Sequence, residues 1–197
     1  MVKISPKKIK GQWDDGYALD FHTSSSDFIG HDEFGHPQFD TRRTEIGELI
    51  YRLKFRKDES VVDDIVTIVA DFIQSNKSWS IELIIPVPPS TTRSFQPVII
   101  IAKNIARTLG IEYCSDCVTK IKNTPQLKNI FDAEERRKLL AGAFKVNSSK
   151  IQGKSILLFD DLYRSGATIN EVSSSLQGCG KAKHIYALTL TKTRVHR

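Results

Sequence analysis

Along residues 41–55, apolar Ile46, Leu49, Ile50 and Leu53 recur three and four positions apart with charged residues between them. That spacing predicts an amphipathic helix. Residues 61–73 repeat it through Val62, Ile65, Val66, Ile68, Val69 and Phe72, predicting a second helix. The pattern then changes to short, nearly unbroken apolar runs at 81–87, 111–120, 143–146, 155–159 and 184–191. Strands covered on both faces read this way, because neither face alternates with water. Helical spacing returns at 95–109 and at 168–176, where Gly178 and Gly180 end the segment. Alternation of strands and helices predicts an α/β protein with an open, twisted, mostly parallel five-stranded sheet flanked by helices.

Residues 1–40 have another character. Trp13, Asp14, Asp15, Tyr17, His22, a run of three serines, Gly30, His31, Gly35, His36 and Pro37 mix aromatics, glycine and polar groups without a period. Irregular structure or short strands are expected there. His22, His31 and His36 with Asp20, Asp32 and Asp40 show no tight metal-ligand spacing. Surface hydrogen bonding is the plain reading of these groups, with metal binding as the alternative.

The most informative stretch is Ser-Ile-Leu-Leu-Phe-Asp-Asp-Leu-Tyr-Arg-Ser-Gly-Ala-Thr, residues 155–168. An apolar strand ends in two carboxylates, Asp160 and Asp161, at the end of a parallel strand where open α/β sheets bind ligands. The turn Arg164, Ser165, Gly166, Ala167, Thr168 then opens a helix, whose first N–H groups lack helical partners and can point at an anion. Gly166 permits close approach of that anion, and Ser165 and Thr168 add hydroxyls. Carboxylates beside an anion turn suit a phosphorylated sugar, with the diol on the acids and the phosphate on the turn. A solvated turn, or a magnesium-binding pair as in a receiver-like domain, is the competing reading. A phosphate loop of the NTPase kind is excluded at Lys154 and Ser155, because the glycine spacing is wrong.

This arrangement resembles the type I phosphoribosyltransferases, and within them the ComF-like branch. The resemblance spans roughly residues 41–191. Besides the 155–168 signature it includes Gly-Glu-Leu-Ile-Tyr-Arg-Leu-Lys-Phe at 47–55, Ile-Ile-Pro-Val-Pro at 84–88 and Thr-Pro-Gln at 124–126. Glu-Arg-Arg at 135–137 and Gly-Ala-Phe-Lys-Val at 142–146 complete it. The four-cysteine zinc module that many ComF-like proteins carry at the N-terminus has no counterpart here.

The resemblance implies a phosphoribosyltransferase core over residues 41–197, with residues 1–40 as an N-terminal hood or extension that selects the acceptor. It implies binding of phosphoribosyl pyrophosphate (PRPP) with Mg2+ and transfer of ribose 5-phosphate to a nitrogen acceptor. Asp160 and Asp161 are then the catalytic pair, reaching magnesium indirectly through PRPP, and the 164–168 turn holds the 5-phosphate. Pro88, Ser90, Thr91 and Arg93 are expected to bind pyrophosphate, although Ser94 and Pro97 depart from the family's usual Arg-Gly-Phe-Asn-Gln. A capping turn with a solvent-facing arginine is the simpler reading of that loop. Lys120, Lys122, Arg136 and Arg137 fall on or beside a mobile loop that closes over PRPP, though each alone also reads as a solvated charge. Purine-salvage relatives carry an acid where this chain has Arg164, and an arginine cannot serve as that base.

Composition narrows the field. Of 197 residues, 40% are hydrophobic and 26% charged, as in ordinary globular proteins. No apolar run approaches a membrane span and the N-terminus has no signal-like apolar region, so a cytoplasmic protein is expected. The +6 charge suits an anionic ligand; basic residues are not interleaved with aromatics as in a single-strand binder. Cys114 and Cys117 form a lone Cys-x-x-Cys, read as sheet-end cysteines with redox or metal use as the alternative, and the odd cysteine count argues against a disulfide framework. A non-catalytic PRPP- or nucleotide-sensing regulatory protein on the same fold is the second reading. The ComF-like group's link to DNA uptake supports it, and a defence assembly is a further setting. A homodimer or an operon partner completes the expected associations.

Overall fold

A computed structural model describes residues 2–89, 94–122 and 133–194. Its framework is a six-stranded sheet in the order β1-β2-β10-β9-β5-β6. These strands are β1 (Lys7–Lys8), β2 (Asp15–Phe21), β5 (Leu83–Pro86), β6 (Glu112–Tyr113), β9 (Ser155–Tyr163) and β10 (His184–Lys192). All neighbouring pairs are parallel except the edge strand β1, which runs antiparallel to β2. The α/β class and the mostly parallel sheet flanked by helices, expected from the apolar runs, are therefore the observed architecture.

Alternation along β9 divides the core in two. Leu157 and Phe159 face α1 (Glu45–Arg56), α2 (Val62–Ser75) and α3 (Pro97–Leu109), meeting Ile46, Leu53, Ile65, Ile101 and Ile105. Ile156 and Leu158 point the other way, meeting Ile169, Val172 and Leu176 of α5 (Ala167–Gly178) and Leu140 of α4 (Ala133–Leu140). Because both faces are covered, the strand must be apolar throughout, which is why its sequence shows a run rather than a period of two.

Several details differ from the sequence expectation. The main sheet has six strands rather than five, and β2 from the N-terminal region is one of its inner strands. Asp14, just before β2, exchanges two contacts with β10: its N–H donates to the Ile185 carbonyl (2.9 Å) and its carboxylate accepts the Ile185 N–H (2.8 Å). The run at 111–120 is not one strand. It divides into β6, which joins the main sheet, and β7 (Val118–Lys120), which pairs antiparallel with β8 (Phe144–Val146) in a separate ribbon. The expected third strand of the sheet, at 143–146, lies in that ribbon too. Cys114 and Cys117 make the division: a disulfide joins them, while the Cys114 N–H donates to Ile84 of the sheet and the Cys117 carbonyl accepts from Asn147 beyond β8. The bond between these cysteines departs from the plain reading as sheet-end cysteines and falls on the side of the redox alternative.

Residues 23–43 form a hairpin, β3 (Thr23–His31) with β4 (Pro37–Arg43), outside the main sheet. Its turn is held by the Asp32 carboxylate, which accepts N–H bonds from Phe34 (2.9 Å) and His36 (2.8 Å). At the hairpin's base Thr44 caps α1, accepting the Gly47 N–H at 3.1 Å while donating its hydroxyl to the Phe21 carbonyl. Position 47 tolerates no side chain, since a Cβ there would lie 2.2 Å from the His22 carbonyl oxygen.

Candidate functional site

On one side β9 pairs with β10 through Tyr163, but on the other its pairing with β5 stops at Phe159. The next residues, Asp160 and Asp161, therefore edge a crevice that opens where β5 turns away. Their side chains alternate across the sheet, so the pair straddles its carboxyl end. Asp161 is buried and its Oδ2 receives the Lys54 ammonium from α1 at 2.5 Å. The Thr191 hydroxyl donates to the Asp161 carbonyl (3.2 Å), fixing the backbone from the β10 side.

Asp160 sits in a different electrostatic setting. Loss of surrounding water, and then the charge of Asp161, push its carboxyl up to about 8. The Asp161 N–H bond to Asp160 Oδ1 (2.8 Å) and the nearby Lys54 oppose that rise without cancelling it. Asp160 is thereby biased toward its protonated form, in which its carboxyl can donate as well as accept a hydrogen bond.

The turn after β9 is built for close approach. Gly166 is the residue before α5, with φ 75° and ψ 0°, and no side chain caps the helix. A Cβ at 166 would lie 2.6 Å from the Tyr163 hydroxyl, so both conformation and space demand glycine. Asn170 holds the turn from behind: its N–H (2.8 Å) and its side-chain amide (2.9 Å) both donate to the Gly166 carbonyl. The Asn170 side-chain oxygen in turn accepts the Gln12 N–H at 2.8 Å, tying the turn to the N-terminal segment.

Two cavities meet here. A larger one of about 420 Å³ is lined by Lys54, Lys57, Pro88, Phe95, Asp160 and Asp161 among others. A smaller one of about 120 Å³ is formed by the 164–168 turn with Tyr163 and Thr189. Asp160 and Thr168 belong to both. The residues expected to bind a phosphate and a diol are therefore adjacent in space: Arg164, Ser165, Gly166, Ala167 and Thr168 in the small cavity, the acids at the junction.

The other expected residues are placed less uniformly. Pro88 lines the larger cavity, while Ser90, Thr91 and Arg93 lie outside the described residues. Lys120 ends β7, and the Lys122 ammonium donates to the Ala141 carbonyl at 2.7 Å; neither lines the two cavities. Arg136 and Arg137 are on α4, with side chains outside the described residues, as is the 124–126 segment. The sequence reading overlooked Lys54 and Lys57 as cavity residues. The signal was available in part, because Lys54 belongs to the matched 47–55 segment, but its helix-end position had a sufficient explanation in the helix dipole.

Away from the crevice, Cys114, Asp116 and Cys117 bring potential ligand atoms within 4.8 Å of one another. There the two sulfurs are bonded to each other, and the Lys150 ammonium lies 3.1 Å from Asp116. His22 packs beside the crevice with Nδ1 3.2 Å from the Thr191 hydroxyl oxygen. Burial, then the charge of Arg43, lowers its pKa. Among the described residues no helix is long and apolar enough to cross a membrane.

The mostly parallel sheet flanked by helices, with an acidic pair at the end of an inner strand, is the α/β arrangement expected from the sequence. No family model matches the chain. The chain is distantly homologous to Competence protein F of Haemophilus influenzae, with 27% identity over 142 residues that cover 67% of this chain. That match spans 62% of the relative's own length. Among solved structures, adenine phosphoribosyltransferase of Thermoanaerobacter pseudethanolicus is similar at 15% identity and TM-score 0.45, covering 85% of this chain and 95% of that one. Adenine phosphoribosyltransferase of Leishmania donovani is similar at 10% identity and TM-score 0.43, covering 95% and 86%. The glutamine PRPP amidotransferase of B. subtilis, complexed with ADP and GMP, is similar at 15% identity and TM-score 0.45, covering 66% of this chain and 26% of that one.

Proposed function

We propose that this chain binds PRPP and transfers its ribose 5-phosphate to a nitrogen acceptor, releasing pyrophosphate. The observation that carries this reading is the junction of the two cavities at Asp160 and Thr168. A ligand bridging them presents a hydroxyl-bearing ring to the acids and a terminal phosphate to the turn. The turn's N–H groups, the Ser165 and Thr168 hydroxyls and Arg164 hold the 5-phosphate. Asp160 and Asp161 hold the 2- and 3-hydroxyls. Anchoring both ends of the sugar fixes C1 for attack, so binding energy from remote groups supports the chemical step.

At C1 the acceptor's nitrogen lone pair forms the new bond as the C1–O bond to pyrophosphate breaks. The bonding electrons leave with pyrophosphate, and the acceptor's surplus proton passes to water. Positive charge that builds on the ring is stabilised by the acid pair beneath it. Pro88 with Ser90, Thr91 and Arg93 holds the departing group, and Lys120 of β7, Lys122, and Arg136 and Arg137 of α4 neutralise it. The acid pair at the junction of the two cavities fits magnesium held indirectly: Asp160 and Asp161 would reach the ion through PRPP. When bound, it supplies charge neutralisation of the leaving pyrophosphate. In this reading the β3–β4 hairpin is part of the hood that selects the acceptor.

A second reading, a non-catalytic sensor of PRPP or a nucleotide, draws on two observations. Lys54 already neutralises Asp161, and Arg164 stands at the turn where a base is wanted. Calorimetry with PRPP and magnesium chloride, followed by pyrophosphate release against a panel of nitrogen acceptors, separates the two. Binding with release supports the transferase. Binding without release under every acceptor leaves the sensor, and no PRPP binding overturns both.

A further inference from the structure

Helix α1 ends in three cations, Lys54, Arg56 and the capping Lys57, and the expected site had no use for the two that line the larger cavity, Lys54 and Lys57. Lys54 lies on the face toward β9 and reaches across 107 residues of chain to Asp161, with its side chain 32% exposed. Lys57 is the capping residue after α1, held at φ 52° and ψ 34° with its N–H bonded to the Arg52 carbonyl. That left-handed conformation is one where glycine is usual and a Cβ is strained. Both side chains line the larger cavity together with Pro88, Pro89 and the start of α3. Among the described residues the Lys57 ammonium has no carboxylate partner, so its charge is available to a ligand.

The charged side chains in that cavity's described lining are Asp160 and Asp161 at the end of β9, with Lys54 and Lys57 on the α1 side. The α1 side of the wall therefore presents two cations to a ligand entering the cavity. Resting on the transferase-fold reading above, we propose that Lys54 and Lys57 form a cationic wall that takes the diphosphate of the ligand. Lys54 moves from Asp161 to the anion as the ligand binds, freeing Asp161 for the ribose hydroxyls. Binding of the diphosphate and readiness of the acid pair are thereby coupled through one side chain.

Lys57→Gly tests the charge without the confounding loss of fold. Glycine relaxes the left-handed position, so stability should hold or rise while the ammonium disappears. Isothermal titration calorimetry of wild type, Lys57→Gly, Lys54→Met and Lys54→Arg is run with inorganic pyrophosphate and, separately, ribose 5-phosphate, each with magnesium chloride. Lys57→Gly and Lys54→Met should each weaken pyrophosphate about tenfold, as loss of a charge-assisted contact does, with Lys54→Arg largely restoring it. Ribose 5-phosphate affinity of Lys57→Gly should stay within about twofold, because that probe lacks the diphosphate. Pyrophosphate binding that is unchanged in both lysine variants overturns this proposal and leaves the transferase reading intact. Ribose 5-phosphate binding by a wild type that ignores pyrophosphate has the same meaning, while failure to bind either probe overturns both.

Discussion

The carboxyl end of β9 and the β3–β4 hairpin are both strand segments that carry polar groups beyond the core, yet they are held in unlike ways. Around Asp160 and Asp161, β10 pairs alongside, α1 supplies Lys54, α5 begins immediately after, and Asn170 ties the intervening turn to the N-terminal segment. Every element that reaches this point has another reason to be where it is. The hairpin is held chiefly by its own ladder, and Phe28, Ile29, Phe34 and Phe39 remain exposed on it. Two strands alone are marginal in water, so the hairpin depends on the Asp32 turn and on its anchorage at α1. Rigid chemistry belongs on the first kind of element; a surface that adapts to different partners suits the second.

The largest effect expected from this contrast follows from replacing both acids. Asp160→Asn with Asp161→Asn should remove turnover in the pyrophosphate-release assay, each change costing roughly 100–1,000-fold. Retained release and unchanged PRPP affinity in the double variant would place the chemistry elsewhere. Next in size is Gly166→Ala, which meets both a φ of 75° and the Tyr163 hydroxyl. A loss on the order of 1–3 kcal/mol in urea unfolding is expected, together with weaker phosphate binding. An alanine variant as stable as wild type would show that the turn is free to relax.

The acid pair also gives stability a pH signature. Asp160 titrates from an ordinary 3.8 up to about 8 in the folded chain, so between those values the native state holds a proton that the unfolded chain has released. Its contribution is fully present below the unfolded value and is lost as pH rises through the folded one. Urea midpoints of wild type relative to Asp160→Asn should therefore decline from about pH 4 to about pH 8 and level off above that. A flat difference across this range would mean that water reaches the carboxyl freely. The smallest effect is expected at the hairpin tip: Phe34, 76% exposed, changed to serine, should alter thermal stability by no more than about 0.5 kcal/mol. A larger loss would show that the hairpin packs against something other than itself.

Much of the sheet was readable because burial on both faces writes itself into β9 and β10 as unbroken apolar runs. The helices α1 and α2 were readable for the complementary reason, since one buried face enforces a helical period. β2 was not. Asp15, Gly16 and Asp20 look like turn residues, but Asp15 is satisfied by the adjacent Gly16 N–H, by Lys8 and, from far along the chain, by the Trp79 indole N–H (3.1 Å). The split at Cys114 and Cys117 was hidden likewise, because an apolar stretch does not say which sheet each half will join.

At the site, local order was visible in the letters: two acids, then a glycine-bearing bend, then a helix. Chain neighbours and backbone sterics decide those features, so sequence alone determined them. That Lys54 would meet Asp161, that burial would raise the Asp160 pKa, and that two cavities would join beside them depended on packing between distant segments. Such long-range juxtapositions arise only when the sheet closes and water leaves, which is why tertiary structure had to decide them.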